Sequence, residues 1–190
     1  MAVTVRPLTP ERFGDLEAIF NARGCSVARG CWCMFYRVSG KGDLTRPGEQ
    51  QRRSARSALK ALAAEDPPPG LIGYRGKTPV GWISLGPRED YAKLARSTVM
   101  KPVDDQPVWS IVCFVVPSEF RQQGVARELL AGAVRYAKKR GVKLLEAYPV
   151  DKPPAAEGSW FGSKRMFDEA GFDEVARRRA DRPVVRLHIG

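Results

Sequence analysis

Residues 115–130 read VVPSEFRQQGVARELL, and this stretch largely decides what the rest of the chain can be. It joins the end of an apolar run, VWSIVCFVV at residues 108–116, to a segment with apolar residues every four positions. The first pattern indicates a strand covered on both faces, and the second indicates an amphipathic helix. The sequence therefore predicts a buried strand that stops at Pro117 and a helix over residues 122–140, ended by Gly141.

The start of this helix is a candidate anion site. The amides of a first helical turn have no intrahelical partner, and the helix dipole favours negative charge there. Gly124 lets an anion approach the backbone, and Arg121 and Arg127 add positive charge. The stretch has no GxxxxGKS or GxxxxGKT loop, and its single glycine falls short of GxGxxG. On spacing alone an anion site and an ordinary helical glycine stay equally open.

Composition is typical of one compact globular domain, which we expect to span residues 1–190. The chain is 43% apolar, enough for a sizeable core. It shows no apolar run of membrane-spanning length and no basic head followed by an apolar segment, so we expect a cytoplasmic protein without a membrane partner. In that compartment the four cysteines should stay reduced.

The net charge of +11 creates a field that attracts polyanions. The basic clusters at residues 46–60, 135–143 and 177–182 also carry apolar, core-facing residues. Solvated helix faces and strand ends are therefore favoured over a dedicated nucleic-acid surface.

The remaining patterns give the order of elements β-α-α-β-β-β-α-β-α-β-β. It begins with a strand at residues 3–8 and a helix from Pro10, followed by the cysteine-rich and Gly-rich segments and a second helix with Leu59 on its apolar face. LIGYR and PVGWISL around GKT form a hairpin. The connection over residues 86–106 is long enough to suggest a function. A helix at about residues 161–170 and two strands complete the chain.

RQQGVA at residues 121–126 resembles the acetyl-CoA motif of the GNAT superfamily of N-acetyltransferases: Arg or Gln, two variable residues, Gly, one variable residue, and Gly or Ala. The preceding Val-Pro, the later FDEAGF at residues 167–172 and the element order carry the resemblance over nearly the whole chain. It implies an α/β (α+β) fold with a mixed, mainly antiparallel sheet of about seven strands. About four helices would flank this sheet, and its fourth and fifth strands would splay at Val115 and Pro149.

The resemblance also implies acetyl-CoA as co-substrate, no metal, and a primary amine of a small molecule, peptide or protein as acceptor. The amine would enter from the side opposite the CoA and attack directly, while a backbone amide near Val115 polarises the carbonyl. The amides of residues 122–126 would hold the pyrophosphate, and residues 114–116 would pair with the pantetheine arm. The implied cofactor-binding residues are Phe114, Val115, Val116, Arg121, Gln122, Gln123, Gly124, Val125, Ala126 and Arg127.

The chain departs from the family where proton transfer is concerned. Phe167 stands where many members place an acidic tyrosine, Ser110 where some place a carboxylate, and Trp160 where an asparagine is common. The candidate catalytic residues are therefore Tyr148, Ser110 and Cys113, although a place in the core as strand residues is favoured for Tyr148 and Cys113. The single histidine, His188, has no nucleophile or carboxylate at an informative spacing.

The stretch GCWCMFYR at residues 30–37 raises the question of a metal or redox site. With Cys25 it gives C-x5-C-x-C, which lacks the paired spacing of zinc sites, and Cys31 and Cys33 would point to opposite sides of an extended segment. The resemblance places this connection beside the acceptor, with the loop that carries Asp151 and Glu157. The candidate substrate-binding residues are Trp32, Cys33, Met34, Phe35, Tyr36, Tyr91 and Trp160. Core packing explains their aromatic members equally well.

Two other functions stay open. A non-catalytic acyl-CoA-binding module would explain the missing tyrosine and carboxylate, and a nucleic-acid-binding protein would explain the net charge. Pairing of exposed elements would allow a homodimer, although no feature of the sequence requires one.

Overall fold

The structure is a computed structural model that describes residues 2–38, 48–152 and 160–190. The predicted Gly-rich segment and Glu157 lie outside the described residues. Seven strands form one sheet in the order β1-β2-β3-β4-β5-β7-β6, in which β4 and β5 run parallel and the other neighbours run antiparallel. The strands are β1 (Thr4–Pro7), β2 (Gly70–Arg75), β3 (Thr78–Pro87), β4 (Trp109–Val115), β5 (Leu144–Ala147), β6 (Asp173–Arg179) and β7 (Arg182–His188). The predicted mixed, mainly antiparallel sheet of seven strands is confirmed.

The described residues form five α-helices rather than the predicted four. They are α1 (Phe13–Asn21), α2 (Ser26–Cys31), α3 (Glu49–Leu62), α4 (Val125–Lys139) and α5 (Lys164–Glu169). The additional helix is α2, whose six residues are too short to show a helical period in the sequence. Helix α5 begins later than predicted because Ser163 caps it, its hydroxyl accepting a hydrogen bond from the Met166 amide at 3.3 Å.

Helices cover both faces of the sheet, as the alternation of side chains along β2 and β3 requires. Leu71 and Ile83 pack in one apolar cluster with α4 and α5, while their neighbours Ile72 and Trp82 pack in a second cluster with α1, α2 and α3. We call these the α4 face and the α2 face of the sheet. No helix in the described ranges is long and apolar enough to cross a membrane.

Strands β4 and β5 pair over only three residues each and then separate. Trp109 lies opposite Leu145, and the pairing ends where Ile111 lies opposite Ala147. The predicted splay is therefore present, but it begins before Val115 and Pro149. On its other side β4 bulges, since Cys113 pairs with Ser84 while Ile111 pairs with the next residue of β3. A bulge bends a strand and increases its twist, which helps β4 to leave β5.

The long connection between β3 and β4 packs against the body of the protein. The Arg178 guanidinium donates hydrogen bonds to the carbonyls of Val99, at 3.2 Å, and Pro102, at 3.0 Å. Leu94 in the same connection is fully buried. Hydrogen bonds from Arg178 and a small apolar cluster hold this segment beside the sheet. Its predicted functional role stays a prediction.

Candidate active site

The connection from β4 to α4 contains two residues with positive φ, a backbone conformation that favours glycine. Gly124 caps α4 with φ of 79°, and Gln122 also has a positive φ of 58°. A Cβ built on Gly124 would have no protein atom within 4 Å, so the space beside it is open. The first turn of α4 opens onto this space, and its amides have no acceptor within the helix. The predicted anion-binding geometry is thus present in the backbone.

The two arginines predicted to assist an anion have protein partners. Arg121 donates from Nε to the Val116 carbonyl at 3.0 Å and from Nη2 to the Gly24 carbonyl at 2.6 Å. Arg127 forms an ion pair with Glu169 at 2.9 Å on the surface. Arg121 therefore ties the end of β4 to the connection before α2. The anion site that the sequence predicts here would therefore depend mainly on backbone amides.

The unpaired end of β4 faces the residues that follow β5. The Phe114 amide donates a hydrogen bond to the Trp160 carbonyl at 2.6 Å, so it points into the gap between β4 and β5. Val115 lies opposite Trp82 of β3. Since successive amides of a strand point in opposite directions, the Val115 amide faces β3. The amide near Val115 that points into the gap is therefore that of the adjacent Phe114, which donates to Trp160 in this structure.

A cavity of about 240 Å³ lies beside this gap on the α2 face. Its walls come from α2, the turn after it, the bulged part of β4 and the segment before α5, and they are mostly aliphatic, aromatic or sulfur-containing. The lining residues are Val27, Ala28, Cys31, Cys33, Phe35, Tyr36, Val112, Cys113, Trp160 and Phe161. The cysteine-rich stretch is thus part of a pocket wall.

Four of the seven predicted wall residues line the cavity, namely Cys33, Phe35, Tyr36 and Trp160. The other three are buried in the core. Trp32 packs on Phe20 with ring centroids 5.1 Å apart, and Met34 belongs to the same cluster. The Tyr91 hydroxyl accepts a hydrogen bond from Arg37 at 3.1 Å. The residues that prediction missed come mainly from α2, which was not itself predicted.

Cys31 and Cys33 both line the cavity, because the segment lacks the extended form in which they would point to opposite sides. The segment is not extended: α2 ends at Cys31, and Trp32 and Cys33 have positive φ of 48° and 52°. Such angles are strained for non-glycine residues and turn the chain sharply. All four cysteines are free, and the described residues contain no group of three His, Cys, Asp or Glu side chains that could hold a metal.

Three titratable groups of the cavity wall, Cys31, Cys33 and Tyr36, are held neutral. Burial raises the pKa of the Cys31 thiol to about 12 and that of the Tyr36 hydroxyl to about 12. A hydrogen bond with Cys113, together with burial, raises the pKa of the Cys33 thiol well above its usual value. Desolvation disfavours the charged form of each group. These wall groups thus offer neither a thiolate nor a phenolate at neutral pH.

Tyr148 and Ser110, the other candidate catalytic residues, belong to a buried polar network. The Tyr148 hydroxyl donates to Glu146 Oε1 at 2.7 Å and lies 2.9 Å from Ser110 Oγ. Glu146 Oε2 accepts a hydrogen bond from Arg186 Nε at 2.8 Å. Burial, with the nearby Glu146 charge, raises the pKa of Tyr148 well above its usual value. Their contacts identify Tyr148 and Ser110 as structural partners, and neither lines the cavity.

Phe167 and His188 lie in different settings. Phe167 is fully buried and contacts the Phe114 ring edge-on, with centroids 6.1 Å apart. It therefore sits against the strand that borders the gap. His188 is exposed at the end of β7, opposite Leu144. Its side chain is not among those that line the cavity.

Comparison with known proteins agrees with this geometry. The sequence profile of the acetyltransferase (GNAT) family matches residues 36–157. The structure resembles a putative GNAT acetyltransferase from Desulfovibrio desulfuricans, with a TM-score of 0.57, 16% identity and 100% of both chains covered. It also resembles the PaiA N-acetyltransferase of Thermoplasma acidophilum in complex with coenzyme A, with a TM-score of 0.53, 16% identity and 99% of both chains covered.

A third similar structure is that of YncA, a putative acetyltransferase from Salmonella typhimurium, with its cofactor acetyl-CoA. The TM-score is 0.54 and the identity 16%, and the match covers 100% of this chain and 95% of the other. A search of curated proteins found no match. The matched region includes the open part of β4, the whole of α4 and β5. The chain belongs to the acetyltransferase (GNAT) family.

Proposed function

We propose that this protein transfers an acetyl group from acetyl-CoA to a primary amine by direct attack within a ternary complex. The observation that carries the proposal is the gap between β4 and β5, whose open strand leads within ten residues to the left-handed Gly124 and the first turn of α4. Family membership supports acyl transfer. Two similar structures contain CoA or acetyl-CoA, which supports this donor.

In this proposal the donor is held mainly by backbone. The amides of residues 122–126 bind the pyrophosphate at the positive end of the α4 dipole. Residues 114–116 face the pantetheine arm as a neighbouring strand would. The Phe114 amide donates to the thioester carbonyl after Trp160 releases it, and so stabilises the charge that develops on this oxygen.

The acceptor reaches the thioester from the α2 face, through the cavity. Its neutral amine attacks the carbonyl carbon, the C–S bond breaks, and the CoA thiolate leaves. The attacking nitrogen passes its proton to water. Positioning of the two substrates supplies the main rate enhancement, since a bimolecular reaction becomes effectively unimolecular.

Calorimetric titration of acetyl-CoA into the wild type and into Gly124→Trp tests the donor site. The indole would enter the open space beside Gly124 and block the pyrophosphate. We expect micromolar binding by the wild type and a loss of at least about a hundredfold in the variant, equivalent to about 2.7 kcal/mol.

Gly141→Trp is the matched control. Gly141 follows the other end of α4, has a nearly equal φ of 75°, and is likewise free of protein atoms within 4 Å of a built Cβ. The backbone strain is therefore similar in both variants. Equal weakening by both substitutions, or no wild-type binding, would contradict the proposed donor site.

A non-catalytic acyl-CoA-binding protein is the second candidate, favoured by Phe167 at the position of the usual tyrosine. A thiol-release assay with a broad amine panel separates the two. Turnover supports the enzyme. Tight acetyl-CoA binding without thiol release for any amine would support the binding module.

A further inference from the structure

We propose that the acceptor is a small amine with an apolar, preferably aromatic, body and a negative charge of its own, as in an aromatic α-amino acid. This inference rests on the proposed function and concerns the same site. It follows from the lining of the cavity, from the charges close to its walls and from the face of the sheet on which it opens.

The cavity is small and almost entirely apolar. Its volume of about 240 Å³ lies below the roughly 300–1,000 Å³ of most small-molecule pockets. Its lining combines aliphatic side chains such as Val27 and Val112 with aromatic rings such as Phe161, and the described residues contribute no carboxylate to it. One aromatic ring or branched aliphatic chain suits this space. A buried ammonium would lack a counter-charge there.

Cations lie close to two of the aromatic wall residues. The Arg182 guanidinium lies 4.1 Å from the centroid of Phe161, and Lys93 Nζ lies 3.9 Å from the centroid of Phe35. Arg182 Nε is buried and has no hydrogen-bond partner among the described residues. An acceptor that carries only positive charge is repelled by these groups, whereas a carboxylate is attracted to them.

Two acidic residues of the described segments that adjoin the cavity are already paired. Asp90 forms an ion pair with Arg37 at 3.1 Å, and Asp151 forms one with Arg177 at 2.8 Å. Neither carboxylate is free to balance a polycationic acceptor without breaking a native contact. The local field therefore favours an amine that brings its own carboxylate.

The position of the cavity indicates that its occupant is the acceptor rather than the acyl chain of a longer donor. Val125 and Leu129 of α4 pack in the cluster on the α4 face, so the donor's pyrophosphate binds there. Ala28 and Cys33 of the cavity wall pack in the cluster on the α2 face. A donor that enters along α4 presents its thioester to the gap from one side, and the cavity offers access from the other.

The first test compares kcat/KM at saturating acetyl-CoA for phenylalanine, for phenethylamine, which lacks only the carboxylate, and for spermidine. We expect phenylalanine to be the best of the three by at least about tenfold. Hexanoyl-CoA is run beside acetyl-CoA to detect use of the cavity by an acyl chain. Calorimetric binding of acetyl-CoA is measured in the same preparation.

The second test places a carboxylate in the wall. Val27 lines the cavity and is 37% exposed, while Val175 on β6 is 40% exposed and lies outside the cavity lining. Val27→Asp should lower the phenylalanine to phenethylamine ratio by about tenfold through like-charge repulsion, and Val175→Asp should leave it unchanged. Because both valines are partly exposed, neither substitution buries a new charge.

The outcomes distinguish the inference from the proposed function. Preference for phenylalanine, with the ratio shifted only by Val27→Asp, supports the inference. Preference for spermidine or phenethylamine, or faster turnover with hexanoyl-CoA than with acetyl-CoA, overturns it while acyl transfer stands. Acetyl-CoA binding without acetylation of any amine overturns the proposed function and the inference with it.

Discussion

The two halves of the contact between β4 and β5 differ sharply. In the closed half, Trp109 to Ile111 pair with β5, and the buried Glu146 carboxylate binds Arg186 and Tyr148. In the open half, β4 has no partner on β5, and the side chains there line a neutral cavity. Ionisable side chains with strong partners lie where the strands are closed, and backbone amides and apolar walls lie where they open.

This difference indicates how the fold divides its tasks. The closed half fixes the point at which the strands separate, because a buried charge network tolerates little rearrangement once its partners are in place. In the proposed function, the open half then needs only correct geometry to align donor and acceptor. Substitutions in the closed half should therefore act on stability, and substitutions in the open half on substrate binding.

Glu146→Ala should have the largest effect. It removes a fully buried carboxylate, which deprives Arg186 Nε and the Tyr148 hydroxyl of their partner, while Arg186 keeps its ion pair with Asp104. We expect a loss of about 3–5 kcal/mol in the free energy of unfolding, measured by urea denaturation. Glu174→Ala, which removes an exposed partner of Arg177 on β6, is the control and should cost less than about 1 kcal/mol. Similar losses in both variants would show that the closed half has no special structural role.

The pH dependence of turnover should reflect the acceptor rather than the enzyme. Cys31 and Tyr36, each with a pKa of about 12, stay protonated between pH 6 and 9. The neutral fraction of the amine grows as pH rises, so log kcat/KM should increase by about one per pH unit up to the amine's own pKa. Acceptors with different amine pKa values should shift this limit. A limit that stays fixed across acceptors would reveal a titrating base on the protein.

The donor side of the site was largely predictable because it depends on backbone. A helix start after a buried strand leaves a local pattern in the sequence, and the structure confirms the strand and the helix. It also gives Gly124 a left-handed backbone, which the sequence analysis did not predict. The splay was also predicted, although its start was placed too far along β4. The point at which two paired strands separate depends on the bulge opposite Ser84 and on tertiary packing around it. No local sequence pattern encodes either.

The cavity wall was less predictable because three separate stretches of chain build it, at residues 27–36, 112–113 and 160–161. Helix α2 is too short to show a period, and the positive φ of Trp32 and Cys33 is set by tertiary packing. Prediction therefore placed Trp32 on the wall although it lies in the core, and omitted Phe161. The hydrogen bond between Tyr148 and Glu146 could not be predicted either, since Glu146 is a single polar residue within a strand and the sequence does not indicate its partners.

Tyr148→Phe should have an intermediate effect, confined to stability. The substitution leaves Ser110 Oγ and Glu146 Oε1 each without one hydrogen bond, which should cost about 1–3 kcal/mol. The hydroxyl lies in the closed half, where we expect it to make no contact with the transition state. The kcat should therefore stay within about threefold of the wild type. Urea denaturation and steady-state kinetics on the same preparation measure both. A fall in kcat of a hundredfold or more at unchanged stability would assign Tyr148 to the chemistry.

Cys113→Ala should have the smallest effect. Cys113 lines the open half, but direct attack by the amine needs no protein nucleophile, so kcat should change by less than about threefold. Mass spectrometry of the wild type incubated with acetyl-CoA alone should show no acetylated cysteine. Cys31→Ala, on the opposite wall of the cavity, controls for the loss of packing. Loss of turnover in Cys113→Ala but not in Cys31→Ala, together with an acetyl group on the wild-type Cys113 peptide, would contradict direct transfer and indicate a covalent intermediate. The open half would then supply a reactive side chain as well as geometry.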